Sequence, residues 1–98
     1  MRYKIEYIST FYTDIASVME VLEEYPSKAS RIFSRLDKSI GNLGTMPEMY
    51  PIYQYVPSYR FITIEDYLVF YKFKKQENLV ELRRLLPGKM DISEFLQE

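Results

Sequence analysis

Ninety-eight residues, 47% of them hydrophobic, make one domain with a modest core, and they are too apolar for disorder. A formal net charge of −1 and a pI near 5.5 exclude a general nucleic-acid coat protein, for which a basic balance is expected, while leaving room for local phosphate-binding clusters. The chain has no cysteine and no histidine, which removes disulfides, thiol catalysis, the usual zinc ligands and the commonest general base. Any catalysis falls to Arg, Lys, Tyr, Asp or Glu. Zero cysteine fits a reducing cytoplasm. The N-terminal MRYKIEYIS holds no long apolar run, so neither a signal peptide nor a membrane span is expected. A core this small leaves no room for a large cavity; a shallow groove or an exposed face is the expected working surface.

Arg2–Ile8 alternates, with Tyr3, Ile5 and Tyr7 to one side, and this period of two predicts a strand. Ser9-Thr10 offers hydroxyl N-caps for a helix from about Phe11 to Tyr25. Ile15, Val18, Met19 and Leu22 are its expected buried stripe, and Glu20, Glu23 and Glu24 face water. Pro26-Ser27 breaks that helix, and Ser27 is the expected N-cap of a second helix from Lys28 to about Leu43. Ala29, Ile32, Phe33, Leu36, Ile40 and Leu43 form its apolar stripe; Lys28, Arg31, Arg35 and Lys38 run along the rest. The two helices make a hairpin joined by a tight turn.

Gly44–Pro57 is too apolar for a free linker and reads as an ordered loop, with Ile52–Val56 extended along a sheet edge, where proline is tolerated. Three runs rich in Tyr, Phe, Val and Ile follow: Tyr59–Ile64, Tyr67–Lys74 and Leu79–Leu86. Their breaks, Glu65-Asp66 and Lys74–Asn78, are of hairpin length and predict an antiparallel meander. Pro87-Gly88 ends the last strand, and Asp91–Leu96 suits a short terminal helix that packs Phe95 on the core. The order strand, helix, helix, strands is α+β, with residues 1–98 as a single domain. The first strand is expected at an edge of the meander, and with the helices it covers one face of the sheet.

The strand, a helical hairpin opening at Pro26-Ser27-Lys28-Ala29, Tyr59-Arg60, Tyr67-Leu68-Val69-Phe70-Tyr71 and Arg84-Leu85-Leu86-Pro87-Gly88-Lys89-Met90-Asp91 follow in an order that resembles the RelE/ParE superfamily, the small toxins of bacterial type II toxin–antitoxin modules. The resemblance covers nearly the whole chain. It implies a cytoplasmic toxin neutralised by a cognate antitoxin protein, assembled as a homodimer or a toxin–antitoxin hetero-oligomer. RelE-like members enter the ribosomal A site and cut messenger RNA with basic side chains on the sheet and a late Tyr or His. ParE-like members inhibit DNA gyrase. Arg60 matches the basic residue of the first meander strand. The other RelE positions depart: Ile62 stands for Lys, Leu68 for Arg, Met90 for a basic residue, Leu96 near the late aromatic, and Pro87 for the His before the glycine. The ending Met90-Asp91 with Phe95-Leu96, the Tyr59-Arg60 pair and Arg84 are similar to the ParE branch.

Arg60, Arg84 and Lys89 are the candidate basic patch, binding a target or an acidic antitoxin segment through charge-assisted hydrogen bonds; the plainer alternative is a set of solvated strand residues. In a regular strand Arg83 faces away from Arg84, and the resemblance favours Arg84. Tyr59, Tyr67 and Tyr71 read as packing residues, because a phenol with a pKa of about 10 is a poor base. Met46, Met49, Tyr50, Tyr53 and Tyr55 make an adaptable apolar surface that closes the core, receives an antitoxin helix or meets a second copy. Glu65-Asp66, Glu81 and Asp91 are scattered, so no metal site and no cofactor is expected. The binding set implied is Arg60, Arg84, Lys89, Met90, Asp91, Tyr53 and Tyr55. The expected function is a toxin that binds gyrase. The alternatives are a ribosome-dependent mRNA endonuclease using Arg60, Arg84 and Lys89, and an inactive member that only binds its antitoxin.

Overall fold

The computed structural model describes residues 2–96. Strand β1 (Lys4–Tyr7) leads into α1 (Ser9–Val21) and α2 (Pro26–Leu43), and β2 (Arg60–Ile64), β3 (Tyr67–Lys74) and β4 (Leu79–Pro87) follow. The four strands form one sheet in the order β1-β4-β3-β2. β2, β3 and β4 are the antiparallel meander that the short breaks predict. β1 takes the edge beyond β4 and runs parallel to it, Lys4 opposite Leu79 and Tyr7 opposite Leu82. Parallel pairing needs a long crossover, which everything from α1 to β3 provides.

Helix α1 departs from its sequence reading in three ways. Ser9 and Thr10 are its first residues and do not cap it; the cap position falls to Ile8, which makes no side-chain bond. The helix ends at Val21 and not at Tyr25. Met19, placed by spacing in the buried stripe, is 58% exposed, whereas Phe11, Asp14, Val18 and Leu22 are buried. The cause lies in β4. Past Tyr7, β1 stops and leaves the edge of β4 bare, and α1 runs along that edge. The Ile8 N–H donates to the Leu82 carbonyl, the Thr10 hydroxyl to the Arg83 carbonyl, and the Leu85 N–H to the Asp14 carboxylate. A helix covering an edge strand satisfies its backbone groups in this way. Thr10 serves β4 better than it serves its own helix end.

In α2, Pro26 sits in the first turn, where a missing N–H costs nothing, so Ser27 lies inside the helix and does not cap it. Ile32, Leu36, Ile40 and Leu43 are buried as their period predicts. The basic residues of α2 grip the β2–β3 turn: Lys28 lies 3.3 Å from Asp66, and Arg31 and Arg35 both pair with Glu65. Glu65 holds φ at +55°, a left-handed backbone that is rare for glutamate, and these pairs fix it there. The hydrogen bond from Arg31 draws the Glu65 carboxyl below its usual range, against desolvation.

The sheet is packed on both faces. On one, α1 and α2 close over Ile62, Ile64, Val69, Tyr71, Val80 and Leu82. On the other, Tyr59, Phe70 and Leu86 lie under Ile92 and Leu96, with Tyr53, Phe61, Leu68 and Phe95 around them. The C-terminal turn is 3₁₀ over Ile92–Phe95, and Phe95 is half-buried against this second cluster. The loop after α2 is ordered, but its edge contact is shorter than residues 52–56. Ile52 bridges Arg60, the Phe61 N–H reaches the Pro51 carbonyl at 3.1 Å, and the Tyr53 N–H reaches the Tyr59 carbonyl at 2.8 Å. Residues 54–58 then turn back into β2.

Tyr71 is fully buried and its hydroxyl donates to the Pro47 carbonyl at 2.7 Å. Burial pushes its pKa well above the ordinary value, outweighing the opposite pull of Arg60. The folded value is raised, so Tyr71 contributes stability that is fully present below about pH 10 and lost as pH rises through the folded pKa. Urea unfolding is therefore expected to show stability falling above about pH 10 in the wild type. In Tyr71→Phe, which strands the Pro47 carbonyl at a cost of about 1–3 kcal/mol, that fall is expected to be shallower. An equal alkaline slope in both proteins removes Tyr71 as its source.

Candidate target-binding surface

The structure does not bring Arg60, Arg84 and Lys89 into one patch. Arg60 stands opposite Tyr71, on the helix side of the sheet. Its Nη1 donates to the carbonyls of Tyr50 at 2.7 Å and Glu48 at 3.3 Å, and its Nη2 lies 3.8 Å from the Glu48 carboxylate. It pins the loop to the sheet. Arg84 stands opposite Phe70, on the far face. Strand neighbours alternate faces, so the two arginines project to opposite sides. Lys89 is exposed beyond the end of β4, beside the β2–β3 turn, where the Gly88 N–H bonds the Asp66 carbonyl at 2.8 Å.

Arg83 and Arg84 come together instead. The β3–β4 register slips between Phe70 and Tyr71: Phe70 faces Arg84 and Tyr71 faces Leu82, which leaves Arg83 as the extra residue of a β-bulge. A regular strand turns Arg83 away from Arg84. The bulge lets both line a cleft of about 420 Å³, with Thr10, Tyr59, Glu94 and Phe95.

Both arginines are engaged inside the fold. Arg84 makes a two-pronged contact with Asp14, Nε to Oδ2 at 2.7 Å and Nη2 to Oδ1 at 2.9 Å. Its Nη1 donates to the Phe95 carbonyl at 3.2 Å, and the guanidinium lies 5.4 Å from the centre of the Phe95 ring. The side chains of Arg84 and Asp14 are only 20% and 11% exposed. The bond to Asp14 raises the Arg84 pKa further, against burial. Arg83 Nε donates to Glu81 Oε1 at 3.1 Å, and Lys74 Nζ lies 3.4 Å from Oε2 of the same carboxylate. Burial alone raises the Glu81 carboxyl; Arg83 and Lys74 together bring it below its usual value. Asp14 is absent from the sequence reading, and Glu81 enters it only as one of the scattered carboxylates that make no metal site. The available signal was a carboxylate set among apolar positions: Asp14 on the face of Phe11 and Val18, Glu81 between Val80 and Leu82.

The other four candidates do converge. Tyr53, Tyr55, Met90 and Asp91 line one groove of about 380 Å³, together with Leu68 and Ile92. The groove stands on the far-face cluster: the Tyr53 ring meets Phe70 edge-on at 4.9 Å, Phe61 at 5.6 Å and Tyr55 at 5.5 Å. Tyr55 is 71% exposed and Met90 40%. Burial first, then Tyr55 and Asp91, push the Tyr53 phenol above its ordinary value, so at neutral pH it remains a hydrogen-bond donor. Aromatic and thioether walls beside one carboxylate suit an apolar side chain with a donor or cation next to it. Among the described residues no cluster of His, Cys, Asp or Glu suits a metal, and no helix is long and apolar enough to cross a membrane.

Among solved structures, a chain of the toxin–antitoxin complex RelBE2 from Mycobacterium tuberculosis matches with a TM-score of 0.64 and 13% identity, over 89% of this chain and 99% of that one. At that identity the likeness is one of fold. No curated protein matches. The profile of a family described as the ParE toxin of type II toxin–antitoxin system, parDE, matches residues 9–92, from the first turn of α1 into the C-terminal turn. The chain is therefore a toxin of the RelE/ParE superfamily and belongs to its ParE toxin family.

Proposed function

We propose that this toxin halts growth in the cytoplasm by binding DNA gyrase through the Tyr53–Tyr55–Met90–Asp91 groove, and that a cognate antitoxin neutralises it. The observation that carries this reading is the division of the candidates. Phosphate stabilisation in a cleavage reaction needs donors that are free and aimed at the reacting group. Arg60, Arg83 and Arg84 are each held by carboxylates or carbonyls of their own chain, whereas the aromatic groove stands open. Ile52, about half exposed, lines an adjoining hollow with Tyr53, Tyr55 and Phe61, and this apolar surface offers an antitoxin tail a track on which to fold.

Purified toxin is expected to inhibit gyrase supercoiling, and Tyr55→Ala and Met90→Ala are each expected to raise the half-inhibitory concentration about tenfold. Both side chains are well exposed, so circular dichroism and the unfolding midpoint are expected to stay unchanged. Supercoiling that proceeds normally at high toxin excess rejects gyrase as the target. The cleft shared by Arg83, Arg84 and Tyr59 favours a second reading, ribosome-dependent mRNA cleavage, which requires those arginines to exchange their internal partners for phosphate. Toeprinting of translating ribosomes decides it. Normal growth with soluble toxin accumulating points to a member that only binds its antitoxin.

A further inference from the structure

The segment from Gly88 to Leu96 covers the far face of the sheet, yet its own backbone gives it little rigidity. It contains a single 3₁₀ turn, Ile92–Phe95, whose N-terminal position makes no side-chain capping bond. Ile92 and Leu96 are buried beneath it, and Met90, Asp91, Ile92 and Ser93 form one side of the groove. The shape of the groove therefore depends on where this strap sits. Arg84 ties it down from within. A guanidinium is a rigid planar fork. With Nε and Nη2 set on the two oxygens of Asp14, the direction of Nη1 is fixed, and it meets the Phe95 carbonyl. Asp14 is itself fixed, because its Oδ2 also accepts the Leu85 N–H at 2.9 Å. We infer that Asp14 and Arg84 are positioning residues, a latch between α1 and the C-terminal strap that holds one wall of the target groove in place. The inference rests on the proposed role of that groove, but the latch itself is tested separately.

Lysine cannot reproduce the latch, since one ammonium cannot span both Asp14 oxygens and the Phe95 carbonyl in a plane. The experiment is amide hydrogen exchange by mass spectrometry on the full-length chain, comparing wild type, Arg84→Lys, Asp14→Asn and the double variant. Exchange at residues 92–96 is expected to rise about tenfold in Arg84→Lys, which keeps a cation beside Asp14, with β3 amides within about twofold of wild type; in Asp14→Asn, which strands the guanidinium, β3 exchange is expected to rise as well. The double variant is expected to match the worse single, because the two residues act as one device. Unchanged exchange at 92–96 overturns the inference. So does an equal rise in the strap and in β3 in Arg84→Lys, since that reports a pair that only stabilises the whole fold. Gyrase titration with the same proteins is read independently: a wild type that leaves supercoiling untouched removes the proposed role of the groove, while exchange still decides the latch.

Discussion

Phe70→Ala is expected to lower the free energy of unfolding by about 3–5 kcal/mol. Phe70 is fully buried at the centre of the far-face cluster, with ring centres of Tyr53 at 4.9 Å, Tyr59 at 6.3 Å and Phe61 at 6.4 Å. Truncation removes the edge-to-face partner of Tyr53 and Tyr59 and the tilted neighbour of Phe61 at once, and a void this size cannot close without shifting β3. Total stability of a domain this size is about 5–15 kcal/mol, so the variant is expected near the limit of folding. Urea unfolding measures the loss. The same variant also withdraws the support behind Tyr53, so the proposed inhibition of gyrase is expected to weaken beyond what partial unfolding explains. A loss under about 1 kcal/mol places Phe70 outside a tightly packed cluster.

Asp14→Ala is expected to cost about 3–5 kcal/mol as well, through a different mechanism. It leaves the Arg84 guanidinium, four-fifths shielded from solvent, without a counter-charge, and strips the Leu85 N–H of its acceptor. Desolvated charge without a partner is what makes the loss large. Replacing both members, Asp14→Leu with Arg84→Met, removes the stranded charge and is expected to recover part of the stability despite deleting one more interaction. Thermal or urea unfolding of Asp14→Leu, Arg84→Met and the double variant forms the cycle. A double variant that is less stable than Asp14→Ala contradicts this account of the pair.

Features with a short period were readable in the sequence. Ile32, Leu36, Ile40 and Leu43 declare α2, and the aromatic and β-branched runs around Glu65-Asp66 and residues 75–78 declare the meander, because these signals lie within a few residues of one another. What escaped depends on partners far along the chain. Ser9 and Thr10 look like caps until Arg83 offers Thr10 a carbonyl. Met19 looks buried until Asp14 takes the inner face to serve Leu85. The bulge at Arg83 has no local signature, yet it decides that two arginines share a cleft while Arg60 faces the other way. Of the seven candidate residues, the aromatic and C-terminal four were placed together because both of their segments cover the same face of the sheet. The three cations scattered, because strand position and register decide which face each meets.

The parallel pairing of β1 with β4 also sets the order in which the molecule is made. Lys4 has no strand to join until Leu79 has left the ribosome, since β4 is the neighbour that β1 pairs with in the sheet. The helical hairpin emerges early with its apolar stripes uncovered, because the strands that bury them come later. Closing so long a loop is slow compared with forming a hairpin. Nascent toxin therefore passes through a stage in which the residues of α1 and α2 have been made but those of the strands that bury them have not. The groove, built from residues 53–55 on one side and 90–93 on the other, is assembled only after every strand of the sheet has emerged.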